Sequence, residues 1–167
     1  MIGKVLKNFQ AFVEGRGYAG KVDELTPPKL GLKTEEVRAG GMDAPEDVDM
    51  GMEKLTTDFT MMGYEKEVIA RFGLAPGTQT QVVFRGAIQD ETGTVEACVI
   101  NATGKVTSIE RGAWKAGEKS TVKVAMTLGY YKETIGGLVV TEIDVENMKR
   151  IINGTDQIAA IRSAIGM

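Results

Sequence analysis

Two residue types that often perform catalysis or hold a metal ion, histidine and cysteine, are almost absent from this chain. None of its 167 residues is histidine, which removes the commonest general base and the commonest metal ligand. Its only cysteine, Cys98, lies in the apolar run 95–100, so we predict a buried small side chain rather than a nucleophile. Asp47 and Asp49 would share one face of a strand, but no third or fourth oxygen ligand can be named beside them. The sequence therefore predicts no catalytic residue, no cofactor and no metal site.

Two glycine-rich segments resemble phosphate-binding loops, but neither has the required context. Residues 15–20 spell Gly-x-Gly-x-x-Gly, a pattern that binds dinucleotides only when a helix follows directly, and the two prolines at 27–28 leave no room for one. Residues 112–120 approximate a P-loop, yet Glu118 separates the second glycine from the lysine and would place a carboxylate against the phosphate. We predict a hairpin turn at each segment, with Trp114 as a packing anchor in the second.

The elements that position these residues are mainly β-strands. Apolar and polar residues alternate with the two-residue period of strands, and 21 glycines punctuate them. In 53–62 the residues predicted to face a core are Leu55, Thr57, Phe59 and Met61, and those predicted to face water are Lys54, Thr56, Asp58 and Thr60. In 120–134 the predicted apolar face comprises Val122, Val124, Met126, Leu128 and Tyr130. The dipeptide at 136–137, Gly-Gly, favours a tight hairpin after that strand.

Two short helices interrupt the strands. Tyr64–Phe72 carries Val68, Ile69 and Phe72 at helical spacing, and Thr155–Ile165 carries isoleucines on one stripe after Thr155 or Asp156 as N-cap. We interpret both stripes as core packing. No linker or repeat divides the chain, so we predict a single, mostly β domain over residues 1–167.

The charge is unevenly distributed. The net charge of −3 is too acidic for a protein that grips phosphates through basic side chains. Residues 39–58 contain six acids and one base, which indicates either a solvated loop and strand face or an electrostatic surface that meets a partner or repels polyanions. The methionines of 42–62 suit either adaptable core filling or a soft contact surface. No signal-peptide core or membrane span is visible, so we expect the chain to be made and used from the cytoplasm without a membrane anchor.

Blocks at both ends of the chain identify a known family. The first runs through 26–35 and then Arg-Ala-Gly-Gly-Met-Asp-Ala-Pro at 38–45, followed by 49–53. The second contains Tyr-Tyr-Lys at 130–132, Glu-Ile-Asp at 142–144 and Ile-Asn-Gly-x-Asp-Gln at 152–157. Together they resemble the major tail tube proteins of P2-like contractile phages and related R-type tailocins, and the resemblance extends along essentially the whole chain.

The resemblance implies two packed antiparallel β-sheets with one or two short flanking helices. It also implies hexameric rings that stack into a hollow tube inside a contractile sheath, with baseplate and tail-terminator proteins as further partners. Such a tube conducts DNA without binding it specifically in a phage, or punctures an envelope in a tailocin, as part of a particle assembled in the host bacterial cytoplasm. The alternatives are the tube protein of a type VI-like secretion system and a monomeric β-sandwich that binds a ligand. A net negative wall would keep DNA from adhering to the bore.

Two surfaces are predicted for this assembly. An extended loop at 39–52 is predicted to reach the next ring, with contacts from Gly40, Gly41, Met42, Asp43, Ala44, Pro45, Met50 and Met52. The bore is predicted to be lined by Lys54, Thr56, Asp58 and Thr60. Either helix could face the sheath.

Overall fold

The computed structural model describes residues 2–167, which form twelve strands and two short helices. The strands are β1 Val5–Val13, β2 Arg16–Gly17, β3 Val22–Thr26, β4 Leu32–Val37, β5 Glu46–Met52, β6 Leu55–Met62, β7 Thr80–Gln89, β8 Val95–Arg111, β9 Thr121–Ile135, β10 Leu138–Asp144, β11 Lys149–Ile152 and β12 Thr155–Asp156. The helices are α1 Lys66–Ile69 and α2 Ala159–Ala164. The mostly β, antiparallel fold with two short helices is confirmed.

Ten strands belong to one hydrogen-bonded sheet that is folded into two layers. The β6 layer consists of β3, β6, residues 121–128 of β9 and the end of β8, because β6 pairs with β9 from Leu55–Leu128 to Met62–Thr121. The β10 layer contains β12, β11, β10, the rest of β9 and β8, β7, β1 and β2. Strands β8 and β9 are long because each of them runs through both layers of the same subunit.

The corner between the layers lies at two glycines. Thr103 pairs with Tyr130 but Gly104 pairs with Leu128, so Gly129 is a bulged residue with no partner in the ladder. A Cβ atom on Gly104 would lie 2.0 Å from the carbonyl oxygen of Thr127, which no side chain can occupy. The bulge also shifts the strand by one residue, so that Tyr131 is buried and Tyr130 is only half-buried. The prediction that Tyr130 continues the apolar face of β9 was wrong for this reason.

The core lies between the two layers. The rings of Phe59 in β6 and Phe84 in β7 meet edge to face with centroids 6.0 Å apart, although β9 and β8 separate their strands within the sheet. The two rings meet only because the sheet is folded into two layers. Thr57 is buried on the apolar side of β6, as predicted, and its hydroxyl donates to the carbonyl oxygen of Thr26 at 2.7 Å.

The glycine-rich segments are turns, as predicted. Glu14 and Gly15 have φ of 50° and 80° and join β1 to β2, so no helix follows the dinucleotide-like pattern. Gly136 and Gly137, with φ of 58° and 85°, join β9 to β10. Residues 112–120 connect β8 to β9.

The helices are shorter than predicted, and α2 does not pack into the core. In α1, Val68 is buried, but Phe72 lies beyond the helix and is exposed. Thr155 and Asp156 form strand β12 with β11, so the helix begins later and the predicted N-cap is wrong. The predicted apolar stripe of α2 is open to solvent, with Ile161 56% and Ile165 60% exposed.

Candidate assembly surfaces

Strands β4 and β5 form a hairpin that stands apart from the main sheet. They pair only with each other, and every residue of β4 is exposed. Residues 38–45 form its tip, while 46–52 are strand rather than the predicted loop. A two-stranded hairpin is marginally stable in water by itself, so this element gains little from its own subunit.

The predicted inter-ring residues divide into three groups. The exposed tip residues are Gly40, Gly41, Asp43, Ala44 and Pro45. Met42 is half-buried because it folds back on the tip, where its sulfur accepts the Ala39 N–H at 3.3 Å. Met50 is 52% exposed, whereas Met52 packs against the core of its own subunit. Of the three methionines, Met50 is thus the most available to a partner.

The two faces of the hairpin differ in chemistry. The register places Glu35, Val37, Glu46 and Val48 on one face, and Thr34, Glu36, Asp47 and Asp49 on the other. Asp49 accepts a hydrogen bond from Arg150 of β11 at 2.9 Å, so the second face is turned toward the body. The face with the two valines is therefore turned away from the body.

The negative charges of the hairpin carboxylates are only partly offset by positively charged neighbours. Glu36 lies directly opposite Asp47, and like charges at opposed positions destabilise a strand pair. The Gly51 N–H, followed by Arg150, lowers the pKa of Asp49 below its ordinary value. Charged residues thus weaken the tip half of the hairpin, while Asp49 fixes its base.

The predicted bore residues lie on the outer face of the β6 layer. The register arranges this face in three rows, which are Thr56–Thr127–Lys105, Thr26–Asp58–Ala125–Ser108 and Glu24–Thr60–Lys123–Glu110. Lys54 precedes the strand and is exposed. With Lys54 included, three lysines and three carboxylates on this face give a formal charge of zero (+3 − 3). Of the six acids in 39–58, only Asp58 is on this face, so the acidic run belongs to the hairpin region and not to the predicted wall.

An aromatic pair marks one end of the β6 layer. Trp114 is 80% exposed, so the prediction of a packing anchor was wrong. Its indole N–H donates to the Tyr64 hydroxyl, and the two rings meet edge to face with centroids 6.2 Å apart. The turn 112–120 reaches Tyr64 because the N–H of Gly63 donates to the carbonyl oxygen of Ser120 at 3.1 Å.

The described residues offer little for catalysis. No group of three or more acidic or cysteine side chains in residues 2–167 could hold a metal ion. Cys98 is half-buried rather than buried, and burial followed by the nearby Glu133 raises the pKa of its thiol, which disfavours the nucleophilic thiolate. Neither helix within 2–167 has the length and hydropathy to span a membrane.

Comparison with known proteins identifies similar chains. A model of the family described as phage tail tube protein FII matches residues 3–166. The tail tube protein of Escherichia phage P2 is 31% identical over 166 residues, which cover 97% of this chain and 96% of that protein. The major tail tube protein of Serratia phage KSP20 is 30% identical over 148 residues, covering 87% and 85% of the two chains.

Solved structures share the fold. A chain of the sheath-tube complex of an extracellular contractile injection system, PVC, in its extended state gives a TM-score of 0.57 at 11% identity, over 75% of this chain and 87% of that one. A chain of the tube-terminating cap of the anti-feeding prophage gives 0.56 at 15% identity, over 76% and 86%. At these identities the structures establish a common fold.

Proposed function

Because this chain belongs to the phage tail tube protein FII family, we propose that it forms hexameric rings that stack into the inner tube of a contractile tail. The observation that carries the proposal is the family match, which includes every strand and helix of the fold. The chain is accordingly a component of the virion tail and a structural subunit, and we assign it no catalytic role.

Ring closure is supported by free strand edges on the β6 layer. Within the described residues, β3 is hydrogen-bonded to β6 alone, and residues 107–111 of β8 pair with β9 alone. Unpaired edges present N–H and C=O groups to any strand that approaches. Pairing of the β3 edge of one copy with the β8 edge of the next is a head-to-tail contact, and such contacts close into a ring when the rotation permits. The β6 layers of the copies would then form one barrel.

The bore in this arrangement is lined by the outer face of the β6 layer, including Lys54, Thr56, Asp58 and Thr60. Its small polar side chains and balanced charges provide no basic array that would hold phosphates by counterion release. DNA can pass such a wall without a specific contact. The acidic hairpin region takes no part in this lining.

Stacking of the rings is assigned to the hairpin. Its tip contains the predicted contact residues 40–45, and its outward face exposes Val37, Val48 and Met50. Burial of this face by the next ring would supply the stabilisation that a lone hairpin lacks. The sheath is assigned to α2, because Ile161 of this helix and Ile165 directly after it are exposed, whereas Val68 of α1 is buried. The terminator and baseplate cap the two ends of the stack.

Negative-stain electron microscopy of the purified chain at high concentration tests the proposal. We expect rings with six-fold symmetry and tubes of uniform bore. Rings of another symmetry would refute the hexameric state but not the assembly into rings. A monomer at every concentration, also in the presence of pre-formed tube ends, would refute the assembly and favour the ligand-binding sandwich. Capsid genes beside the coding sequence would separate a phage tail from a secretion tube, whereas sheath genes would not, because a contractile injection system also has a sheath.

The bore assignment has its own test. Cysteine is placed at Thr56 or Thr60 in a Cys98→Ser background, and intact tubes are treated with small and with bulky maleimides. We expect the small reagent to react along the tube and the bulky one to react only after disassembly, because the lumen admits small molecules. Protection from both reagents would indicate a subunit interface instead, and free labelling by the bulky reagent would place this face outside.

A further inference from the structure

The aromatic pair at the end of the β6 layer leaves most of the Trp114 side chain outside the packing of its own subunit. Trp114 contacts Tyr64, but 80% of its surface is open to water, and the surrounding turn is polar. Tryptophan and tyrosine are enriched among the residues that dominate binding energy at protein interfaces, since each buries a large rigid area at low entropic cost. Lys115 follows Trp114 directly in the chain, and the exposed Lys66 follows Tyr64 by two residues; we call the two rings and these two lysines the aromatic surface.

The aromatic surface and the hairpin lie at opposite ends of the same layer. The hairpin leaves the body beside Leu55, which pairs with Leu128, whereas the aromatic surface adjoins Met62, which pairs with Thr121. Leu55 and Met62 are the first and last of the eight residues of β6, so about 23 Å separates these ends at roughly 3.3 Å per residue step. Rings that stack head to tail bring opposite ends of successive copies together.

The two surfaces are complementary in composition. The outward face of the hairpin has Val37 and Val48 beside Glu35 and Glu46. The aromatic surface has two rings beside two lysines, and neither lysine forms an ion pair with another described residue. Glu118 lies in the same turn and lines the shallow cleft beside Trp114, so the turn itself is not uniformly basic. Apolar contact with the rings is thus expected to supply the affinity, and the lysines to select an acidic partner.

We propose that the aromatic surface of one copy receives the β4–β5 hairpin of a copy in the adjacent ring. The proposal rests on the tube function and names the receptor for the stacking element. Trp114 packs on the two valines of the hairpin, and Lys66 and Lys115 face Glu35 and Glu46. The contact offsets the negative charge of the outward face, because Glu35 and Glu46 on that face gain positively charged partners.

Directed cross-linking tests this pairing. Val48→Cys and Lys115→Cys are made on separate chains, each in a Cys98→Ser background, so that any mixed disulfide joins two copies. We expect tubes assembled from the mixture to give cross-linked dimers on mild oxidation, and tubes of either variant alone to give few. Tubes of the mixture that give no more dimer than the single variants would overturn the proposal.

Substitution of the tryptophan gives an independent measurement. Trp114→Ala should raise the critical concentration for tube formation by roughly tenfold or more while the monomer unfolds as before, and Trp114→Phe should restore most of the loss. Normal tube formation by Trp114→Ala would overturn the inference and leave the tube function intact. Failure of the unsubstituted chain to form tubes would count against the tube function itself, so the two failures are distinguishable.

Discussion

The two-layered body and the β4–β5 hairpin differ in how much of their apolar and charged surface is satisfied within one chain. The body buries Phe59, Phe84 and their neighbours between two layers, and no buried side-chain nitrogen or oxygen in residues 2–167 lacks a hydrogen-bond partner. The hairpin has a wholly exposed strand, a pair of opposed carboxylates and valines turned away from the body. The body thus has its apolar contacts within its own subunit, whereas we propose that the hairpin obtains them from another copy.

This difference separates the residues that determine folding from those that determine assembly. Substitutions in the body should change the free energy of unfolding of the monomer. They should affect tube formation only through this change in stability. Substitutions in the hairpin should leave that free energy almost unchanged and act on tubes directly. Three of the four changes below are measured by unfolding of the monomer in urea and one by an NMR titration, and they run from the largest expected effect to none.

The largest effect is expected at the corner of the body. Gly104→Ala places a Cβ against the Thr127 carbonyl oxygen, and because both groups are backbone-fixed the layers must separate. We expect a loss of about 3 kcal/mol in the free energy of unfolding. Gly129→Ala is the matched control, since a Cβ there meets no atom within 4 Å, and it should change stability by less than about 1 kcal/mol. Equal effects of the two would contradict the close approach at Gly104.

A smaller effect is expected at the threonines of β6. Thr57→Val removes the buried hydroxyl that donates to Thr26 and should cost about 1 kcal/mol of unfolding free energy. Thr56→Val, one residue earlier on the wet face, should lie within about 0.5 kcal/mol of the unsubstituted protein. A larger loss for Thr56→Val would reverse the assignment of the two faces.

A still smaller effect concerns the base of the hairpin and depends on pH. Because the pKa of Asp49 is lowered in the folded protein, its contribution is present above the unfolded pKa, near 3.9, and is lost as the pH falls through the folded value. Arg150→Gln should move the pKa of Asp49 part of the way back, since the Gly51 N–H remains. An NMR titration of the Asp49 carboxyl measures both values, and an unchanged pKa in the variant would exclude a contribution from Arg150.

No effect on monomer unfolding is expected at the hairpin tip. Replacement of 40–45 by a short Gly-Ser loop removes the predicted contact residues but touches no core residue, so the monomer should unfold at the same urea concentration. Tubes should be absent in electron micrographs of this variant. Normal tubes would show that the tip does not connect rings, and a destabilised monomer would show that the hairpin supports its own body.

The sequence predicted the features that depend on neighbours along the chain. Alternation in 53–62 placed Thr57 inside and Thr56 outside, and the Gly-Gly at 136–137 marked its hairpin, because strand period and turn geometry are local properties. The blocks at both ends of the chain were sufficient to identify the family. The same local patterns also excluded the phosphate-binding loops.

Only the tertiary structure decided how those strands combine. The bulge at Gly129 buries Tyr131 in place of Tyr130, and the corner at Gly104 lets β8 and β9 serve both layers, because register depends on partners distant in sequence. Trp114 and Ile161 look like core residues in the sequence but face solvent, since residue type and local spacing do not determine which surfaces the fold turns inward. Composition gave the net charge, but only the three-dimensional arrangement separated the acidic hairpin from the neutral outer face of the β6 layer.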